Sequence, residues 1–173
     1  VTRSTGFFGS IMGMPIAAGN LFIGSFDVGN AMSNPLKATK FGLPFRHIPT
    51  YLAGYYKYKA GDQFTEGGKP ASGKRDICDI YAIMYETSES VPTLDGTNAF
   101  TSPNLVSTAR IDDAKETDEW TYFKLPFHML SGKYIDKEKL TAGKYNVAIV
   151  FTSSLEGDHF NGAIGSTLLI DEV

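Results

Sequence analysis

The residues best suited to chemistry in this chain are tyrosines and charged side chains that alternate along two predicted strands. Tyr55 and Lys57 lie on one such strand, and Asp79, Tyr81 and Tyr85 lie in matching phase on another. If the two strands are neighbours, these side chains share one face of a sheet. Tyrosine rings can stack on sugar rings, while the lysine and the aspartate can bond to sugar hydroxyls. The pattern therefore predicts a sugar-binding face.

Trp120 is the single tryptophan and opens another predicted strand, WTYFKLPF. It is predicted either to border the sugar-binding face or to anchor one end of the fold. Two other interpretations of the tyrosines stay open. They form an ordinary solvent-facing sheet surface, or they are packed beneath the long loop 61–75 with no room for a ligand.

Motifs of catalysis do not occur in the sequence. The segment GSFDVG lacks the central serine of a nucleophile elbow. The three histidines, His47, His128 and His159, are not spaced like the metal-binding pair of HExxH. Glycosidases need two carboxylates across a cleft, and no motif selects a pair among the 19 acidic residues. No catalytic residue is predicted, and the lack of catalytic motifs favours a protein that is not an enzyme.

Length, charge and cysteine content narrow the class of protein. The 173 residues suit a single domain over residues 1–173, and the net charge of −3 gives no sign of nucleic acid as a partner. Cys78 is the only cysteine and is predicted to be a small core residue. No apolar run approaches the roughly 18 residues of a membrane span, so no membrane contact by this segment is expected. We expect the chain to be a domain excised from a longer surface protein.

Alternation with period two dominates the chain and predicts many short strands. The run KYNVAIVFTSS is apolar on both faces and predicts a central strand of a packed sheet. The glycine-rich run SSLEGDHFNGAIGS predicts a tight, shaped loop before the last strand. Only Asp136–Leu140 is predicted to form a helical turn, capped by Asp136. The sequence therefore predicts an all-β fold, a two-sheet antiparallel β-sandwich of jelly-roll topology with at most one short helical turn.

Five segments carry a family resemblance that covers nearly the whole chain from about Asn20 onward. They occur in the order NLFIGSF, NPLKATKFGLPFRHIPTYLAGYYKYKAGD, DICDIYAIMYE, DEWTYFKLPF and KYNVAIVFTSSLEGDHFNGAIGSTLLIDEV. Together they resemble the putative carbohydrate metabolism domain, a family of bacterial surface and secreted lipoproteins. The resemblance implies a jelly roll similar to carbohydrate-binding modules. It also implies a location at the cell surface or in the periplasm, with a lipid anchor on the full-length protein.

The same resemblance suggests a metal site. Many carbohydrate-binding jelly rolls hold a structural calcium ion with an aspartate of the last strand that lies beside the first strand. By that analogy Asp171 is the counterpart, with Asp27 as its partner. No other cofactor is expected.

Three functions remain open at this point. The first is a non-catalytic carbohydrate-binding module of a cell-surface glycan-utilisation protein, with a glycan or polysaccharide as its partner. The second is a structural or adhesin-like β-sandwich domain without a sugar site. The third is a polysaccharide-active enzyme.

Overall fold

The computed structural model of the protein describes residues 1–29, 31 and 33–173. In chain order the strands are β1 Arg3–Ser4, β2 Ile16–Ala17, β3 Asn20–Phe22, β4 Gly24–Phe26, β5 Thr39–Phe41, β6 Leu43–Pro44, β7 Tyr51–Lys59, β8 Phe64–Glu66, β9 Lys69–Pro70, β10 Asp79–Glu86, β11 Leu105–Arg110, β12 Thr117–Pro126, β13 His128–Met129, β14 Tyr145–Thr152, β15 Gly162–Ala163 and β16 Thr167–Asp171. The helices are α1 Gly6–Ile11, α2 Pro35–Ala38 and α3 Lys137–Thr141. None of these helices in the described ranges is long and apolar enough to cross a membrane.

The largest sheet has six strands, in the order β13-β11-β10-β14-β3, and β6 also pairs with β14. Every pairing in it is antiparallel. β14 is the run that was predicted to be central, and it has β10 on one side with β3 and β6 on the other. That prediction is confirmed. An apolar strand is stable there because neighbours satisfy its backbone on both sides.

A three-stranded sheet, in the order β12-β7-β16, packs against the large sheet. The main core lies between the two: Tyr56 and Tyr58 of β7 contact the same buried cluster as Ile80 and Ala82 of β10. Cys78 belongs to this cluster, as predicted, and burial raises the pKa of its thiol to about 12. The fold is therefore an antiparallel, all-β sandwich, as the alternation predicted.

The outer face of the large sheet is also covered. Residues of the segment between β10 and β11, among them Leu94 and Ala99, join Ile83 and Tyr85 in a second buried cluster. This cover does not extend over the whole face, and the uncovered part forms the cleft described below.

The helical content differs from the prediction of at most one short turn. The expected turn is α3, in which the Asp136 side chain accepts a hydrogen bond of 2.9 Å from the backbone N–H of Lys139. α1 and α2 were not predicted, because they have six and four residues and are too short to show a helical repeat. α2 begins at Pro35, whose fixed φ suits the first turn of a helix.

Candidate functional site

The structure divides the predicted sugar-binding face into two parts. Tyr55 and Lys57 lie on β7, whereas Asp79, Tyr81 and Tyr85 lie on β10, and these strands belong to different sheets. The residues between them in each strand fill the common core, so the two sets point outward on opposite sides of the sandwich. The prediction of one shared face is wrong, because alternation gives the phase of a strand and does not identify its neighbour.

The first part lies on the outer face of the three-stranded sheet. Tyr55 packs against Tyr122 across the β7–β12 pair, with ring centroids 5.4 Å apart. Lys57 places its Nζ 5.2 Å from the ring centroid of Trp120, which is 44 % exposed. The structure thus brings Tyr55, Lys57 and Trp120 into one region. The lysine lies over the tryptophan ring and reduces the flat aromatic area that remains for a ligand.

Tyr85 is not a ligand-binding residue, because its side chain is fully buried. Its hydroxyl donates to the carbonyl oxygen of Phe41 and accepts a 3.0 Å bond from the Asn146 side chain. These bonds connect β10 to β5 and to β14, which is a structural role.

Asp79 and Tyr81 lie in a cleft of about 650 Å³ on the outer face of the large sheet. That volume is in the range of small-molecule sites, about 300–1,000 Å³. The cleft floor consists of two parallel rows of side chains from neighbouring strands. One row is Arg110, Tyr81, Val150 and Phe22, and the other is Asp79, Thr152 and Asn20. A mainly apolar row with a cation at its end therefore lies beside a polar row.

Asp79 and Arg110 form a two-pronged ion pair at one end of the floor. Arg110 Nε lies 3.0 Å and Nη2 lies 2.7 Å from Oδ2 of Asp79, with a further 3.1 Å contact from Nε to Oδ1. The Asp79 side chain is 5 % exposed and that of Arg110 is 43 % exposed. Burial raises the pKa of Asp79, and the bonds from Arg110 oppose that rise. The pair therefore presents its cationic partner to the cleft.

An aromatic wall stands beside this pair. Phe100, which is 40 % exposed, lies 4.8 Å from Tyr81 between ring centroids. The guanidinium carbon of Arg110 is 4.5 Å from the centroid of the Phe100 ring and 5.8 Å from that of Tyr81. Stacking on two rings and pairing with a carboxylate fix the guanidinium in one orientation.

The facing wall comes from the glycine-rich segment before the last strand. Leu155, Gly157, Asp158 and Phe160 line the cleft from this side, and Phe160 has a left-handed φ of 57°. A buried carboxylate, Asp76, anchors the segment. Its Oδ2 accepts bonds from Ser154 Oγ at 2.5 Å, Ser166 Oγ at 2.6 Å and the Ala163 N–H at 2.8 Å. The sequence predicted a tight loop of defined conformation here, and these hydrogen bonds hold the segment in that conformation.

Sequence reasoning missed Arg110, Phe100 and Asp158 as members of this site. Arg110 ends an otherwise uncharged strand, NLVSTAR, and that was the one available signal. Phe100 lies in the segment between β10 and β11 and Asp158 in the 3-10 turn Gly157–His159, far apart in the chain, and only the fold brings them together.

The predicted metal pair is not brought together by strand pairing. Asp171 ends β16, which pairs with β7, whereas Asp27 follows β4, which pairs with β5. The analogy that set Asp171 beside the strand of Asp27 is therefore wrong. In residues 1–29, 31 and 33–173 no group of three or more His, Cys, Asp or Glu side chains is arranged to hold a metal ion. Calcium binding stays a prediction.

Comparison with known proteins agrees with the resemblance seen in the sequence. The model of the family described as "Putative carbohydrate metabolism domain" matches residues 1–173. The chain belongs to this family. The comparison with curated proteins found no match.

Two solved structures are close relatives of this member of the carbohydrate metabolism domain family. One is described as a putative glycoside hydrolase from Bacteroides thetaiotaomicron, with 99 % identity over 99 % of this chain and a TM-score of 0.99. The other, described in the same way, is from Bacteroides vulgatus, with 53 % identity over 99 % of this chain and a TM-score of 0.94. The chain spans 50 % of the first relative and 69 % of the second. Family and relatives together indicate a carbohydrate-related role.

Proposed function

We propose that this domain is a non-catalytic carbohydrate-binding module and that the cleft on the large sheet is its glycan site. One observation carries the proposal: the Asp79–Arg110 pair is fixed against Phe100 at the end of a cleft of about 650 Å³. A site for sugars needs oriented polar groups next to exposed aromatic surface, because each sugar ring has polar edges and apolar faces. Both lie within this cleft.

The hydrogen-bonding groups of the cleft are preorganised. Arg110 is held by Asp79 and by two rings, so an N–H of its exposed guanidinium can bond a hydroxyl without first losing side-chain freedom. Asn20 is exposed at the far end of the polar row and donates through Nδ2 to the Ala18 carbonyl at 3.3 Å. Its side-chain oxygen remains able to accept. These groups support recognition of hydroxyls along the floor.

Exposed aromatic rings line the cleft. Phe100 is 40 % exposed near Arg110, and Phe26, which also lines the cleft, is 52 % exposed. Such rings support stacking on the apolar face of a sugar, worth about 0.5–1.5 kcal/mol for an aromatic contact. The outer face of the other sheet offers less, because Lys57 and Lys124 lie over Trp120 and Tyr51, with Nζ at 5.2 Å and 4.3 Å from the ring centroids.

A second candidate, hydrolysis of a glycoside, is favoured by one observation. Asp79 and Asp158 both line the cleft, and the charge of Asp158 contributes to the raised pKa of Asp79. Hydrolases of sugars use two carboxyl groups, one of them as an acid. Binding is the better-supported function, because Arg110 donates to both oxygens of Asp79 and only 5 % of that side chain is exposed, which leaves little access for an acid catalyst to transfer its proton.

Affinity measurements on three proteins test the proposal. Calorimetric titration of the native domain with a panel of soluble polysaccharides is expected to find a ligand with a Kd between about 1 µM and 1 mM, the range of shallow sites. Phe100→Ala is expected to weaken that ligand at least about tenfold, because it removes the exposed ring. Tyr122→Ala, on the opposite side of the sandwich, is the matched control and should bind as the native domain does.

Loss of binding in Tyr122→Ala with full binding in Phe100→Ala would contradict the cleft as the site. A domain that binds no polysaccharide of the panel would instead favour the structural or adhesin-like function. Release of reducing sugar from the bound polysaccharide, abolished by Asp158→Asn, would replace the binding proposal with hydrolysis.

We further propose that the domain acts at the cell surface as part of a lipid-anchored glycan-utilisation protein, as the family resemblance implies. Protease accessibility of the domain on intact cells that produce the full-length protein tests this location. Protection of the domain until the cells are lysed would contradict it.

A further inference from the structure

Three side chains that are charged at neutral pH line the cleft among the residues that the structure describes: Asp79, Arg110 and Asp158. Two carboxylates and one guanidinium give the cleft a formal charge of −1. Lysine is absent from the described lining residues. Because Asp79 and Arg110 form an ion pair that is neutral as a whole, Asp158 carries the net negative charge of the cleft.

Arg110 is not free to compensate for a negative ligand. Nε and Nη2 donate to Asp79 at distances of 2.7–3.1 Å, and the guanidinium stacks on Phe100. A sugar carboxylate or sulfate that met the remaining N–H groups of Arg110 would share a guanidinium whose charge Asp79 already balances, and it could take the full charge of Arg110 only by displacing Asp79. That exchange is unfavourable, because Asp79 has only 5 % of its side chain exposed and would be left buried without its partner.

Asp158 adds negative charge on the facing wall. Its side chain is 49 % exposed and its Oδ1 lies 2.7 Å from Nδ1 of His159. Its charge contributes to raising the pKa of both Asp79 and Tyr81, two residues of the cleft floor. A negative group on a ligand at the floor would experience the same repulsion.

The remaining polar groups of the floor are neutral. Thr152 and Asn20 follow Asp79 in the polar row across β14 and β3. The floor spans four neighbouring strands, from Arg110 on β11 to Phe22 on β3, which is about 14 Å at the usual strand spacing. This length accommodates more than one sugar ring, with sugar hydroxyls along the polar row and the faces of the sugar rings along the mainly apolar row.

We propose that the cleft selects uncharged oligosaccharides of more than one ring and discriminates against acidic glycans. The proposal rests on the glycan-binding function proposed above and names the class of glycan. Asp158 is the residue that sets this selectivity, because it lines the cleft and the one arginine among the described lining residues, Arg110, is paired with Asp79.

Titration with two matched sets of oligosaccharides tests the inference. The neutral set is cello-, manno- and xylo-oligosaccharides, and the acidic set is oligogalacturonates and chondroitin sulfate fragments of equal length. At low salt, acidic ligands are expected to bind at least about tenfold more weakly than the best neutral ligand. Asp158→Asn should narrow this difference and Asp158→Lys should narrow it further. Glu119→Gln, an exposed carboxylate on β12 of the other sheet, is the matched control and should leave it unchanged.

The results separate this inference from the function on which it rests. If an acidic ligand binds as tightly as any neutral one and Phe100→Ala abolishes that binding, glycan binding in the cleft stands and the selectivity is overturned. A selectivity that is unchanged in Asp158→Lys also overturns the assigned role of Asp158. If neither set binds, the glycan-binding function fails and the inference fails with it.

Discussion

The ionised carboxylate of Asp79 depends mainly on one neighbouring side chain. Burial of this residue favours its protonated form, whereas the bonds from Arg110 favour the charged form. Burial is the larger influence, and the pKa of Asp79 in the folded protein is raised. A raised pKa means that the folded state holds this proton to a higher pH than the unfolded state. The contribution of Asp79 to stability therefore falls as the pH rises from about 3.9, the unfolded value, through the folded pKa.

Arg110→Ala is expected to lower the free energy of unfolding by about 1–3 kcal/mol near neutral pH, because it leaves a buried carboxylate without its donors. Without the guanidinium, the pKa of Asp79 should rise further. The deficit relative to the native domain should then be smaller at mildly acidic pH than at neutral pH, because protonation of Asp79 removes the unpaired charge. Urea unfolding of both proteins at the two pH values measures this difference in the free energy of unfolding. An equal deficit at the two values would show that Arg110 does not stabilise the charged form of Asp79.

At the scale of elements, β14 is the strand that holds the large sheet together. It pairs with β10 over its whole length, while Phe151 packs in the core between the two sheets and is 6 % exposed. Val150, next to it in the strand, faces the opposite way and forms part of the cleft floor. A single strand therefore supports both the core and the site.

Phe151→Ala is expected to lower the free energy of unfolding by about 3–5 kcal/mol, the usual effect of removing a buried phenylalanine ring. Leu169→Ala is the control, because Leu169 is 49 % exposed on β16 and should change stability by less than about 0.5 kcal/mol. Urea unfolding compares both variants with the native domain. A loss below about 1 kcal/mol in Phe151→Ala would contradict its place in the core.

The wall formed by residues 154–160 depends on Asp76. Asp76→Ala removes the acceptor of four hydrogen bonds, three of them from Ser154, Ser166 and Ala163. We expect the free energy of unfolding to fall by at least about 2 kcal/mol. Hydrogen exchange followed by mass spectrometry should be faster in peptides that cover 153–163. Asp62→Ala, an exposed aspartate, is the control. Unchanged exchange in 153–163 would contradict the anchoring role of Asp76.

At the scale of the whole molecule, the sequence predicted what depends on local pattern. Alternation located the long strands, the apolar run of β14 placed it at the centre of a sheet, and Asp136 marked the start of α3, because each signal lies within a few consecutive residues. The neighbours of each strand depend on the packing of distant segments. For this reason the pairing of Tyr55 with Tyr81 was wrong, and the approach of Phe100 to Arg110 was not predicted.

The sandwich has two outer surfaces on which a ligand could bind, and we assign binding to the cleft. The cleft combines a fixed ion pair, exposed rings and a concave floor. The opposite face carries exposed aromatic rings with lysine ammonium groups above two of them.

Mapping of backbone amide chemical shifts by NMR distinguishes the two surfaces. The native domain would be titrated with the tightest-binding soluble oligosaccharide of the panel. If the cleft is the site, the largest shifts fall on Asn20, Phe100, Arg110 and Asp158, which line the cleft. Shifts confined to Tyr55, Trp120 and Tyr122, with the cleft residues unmoved, would contradict this assignment.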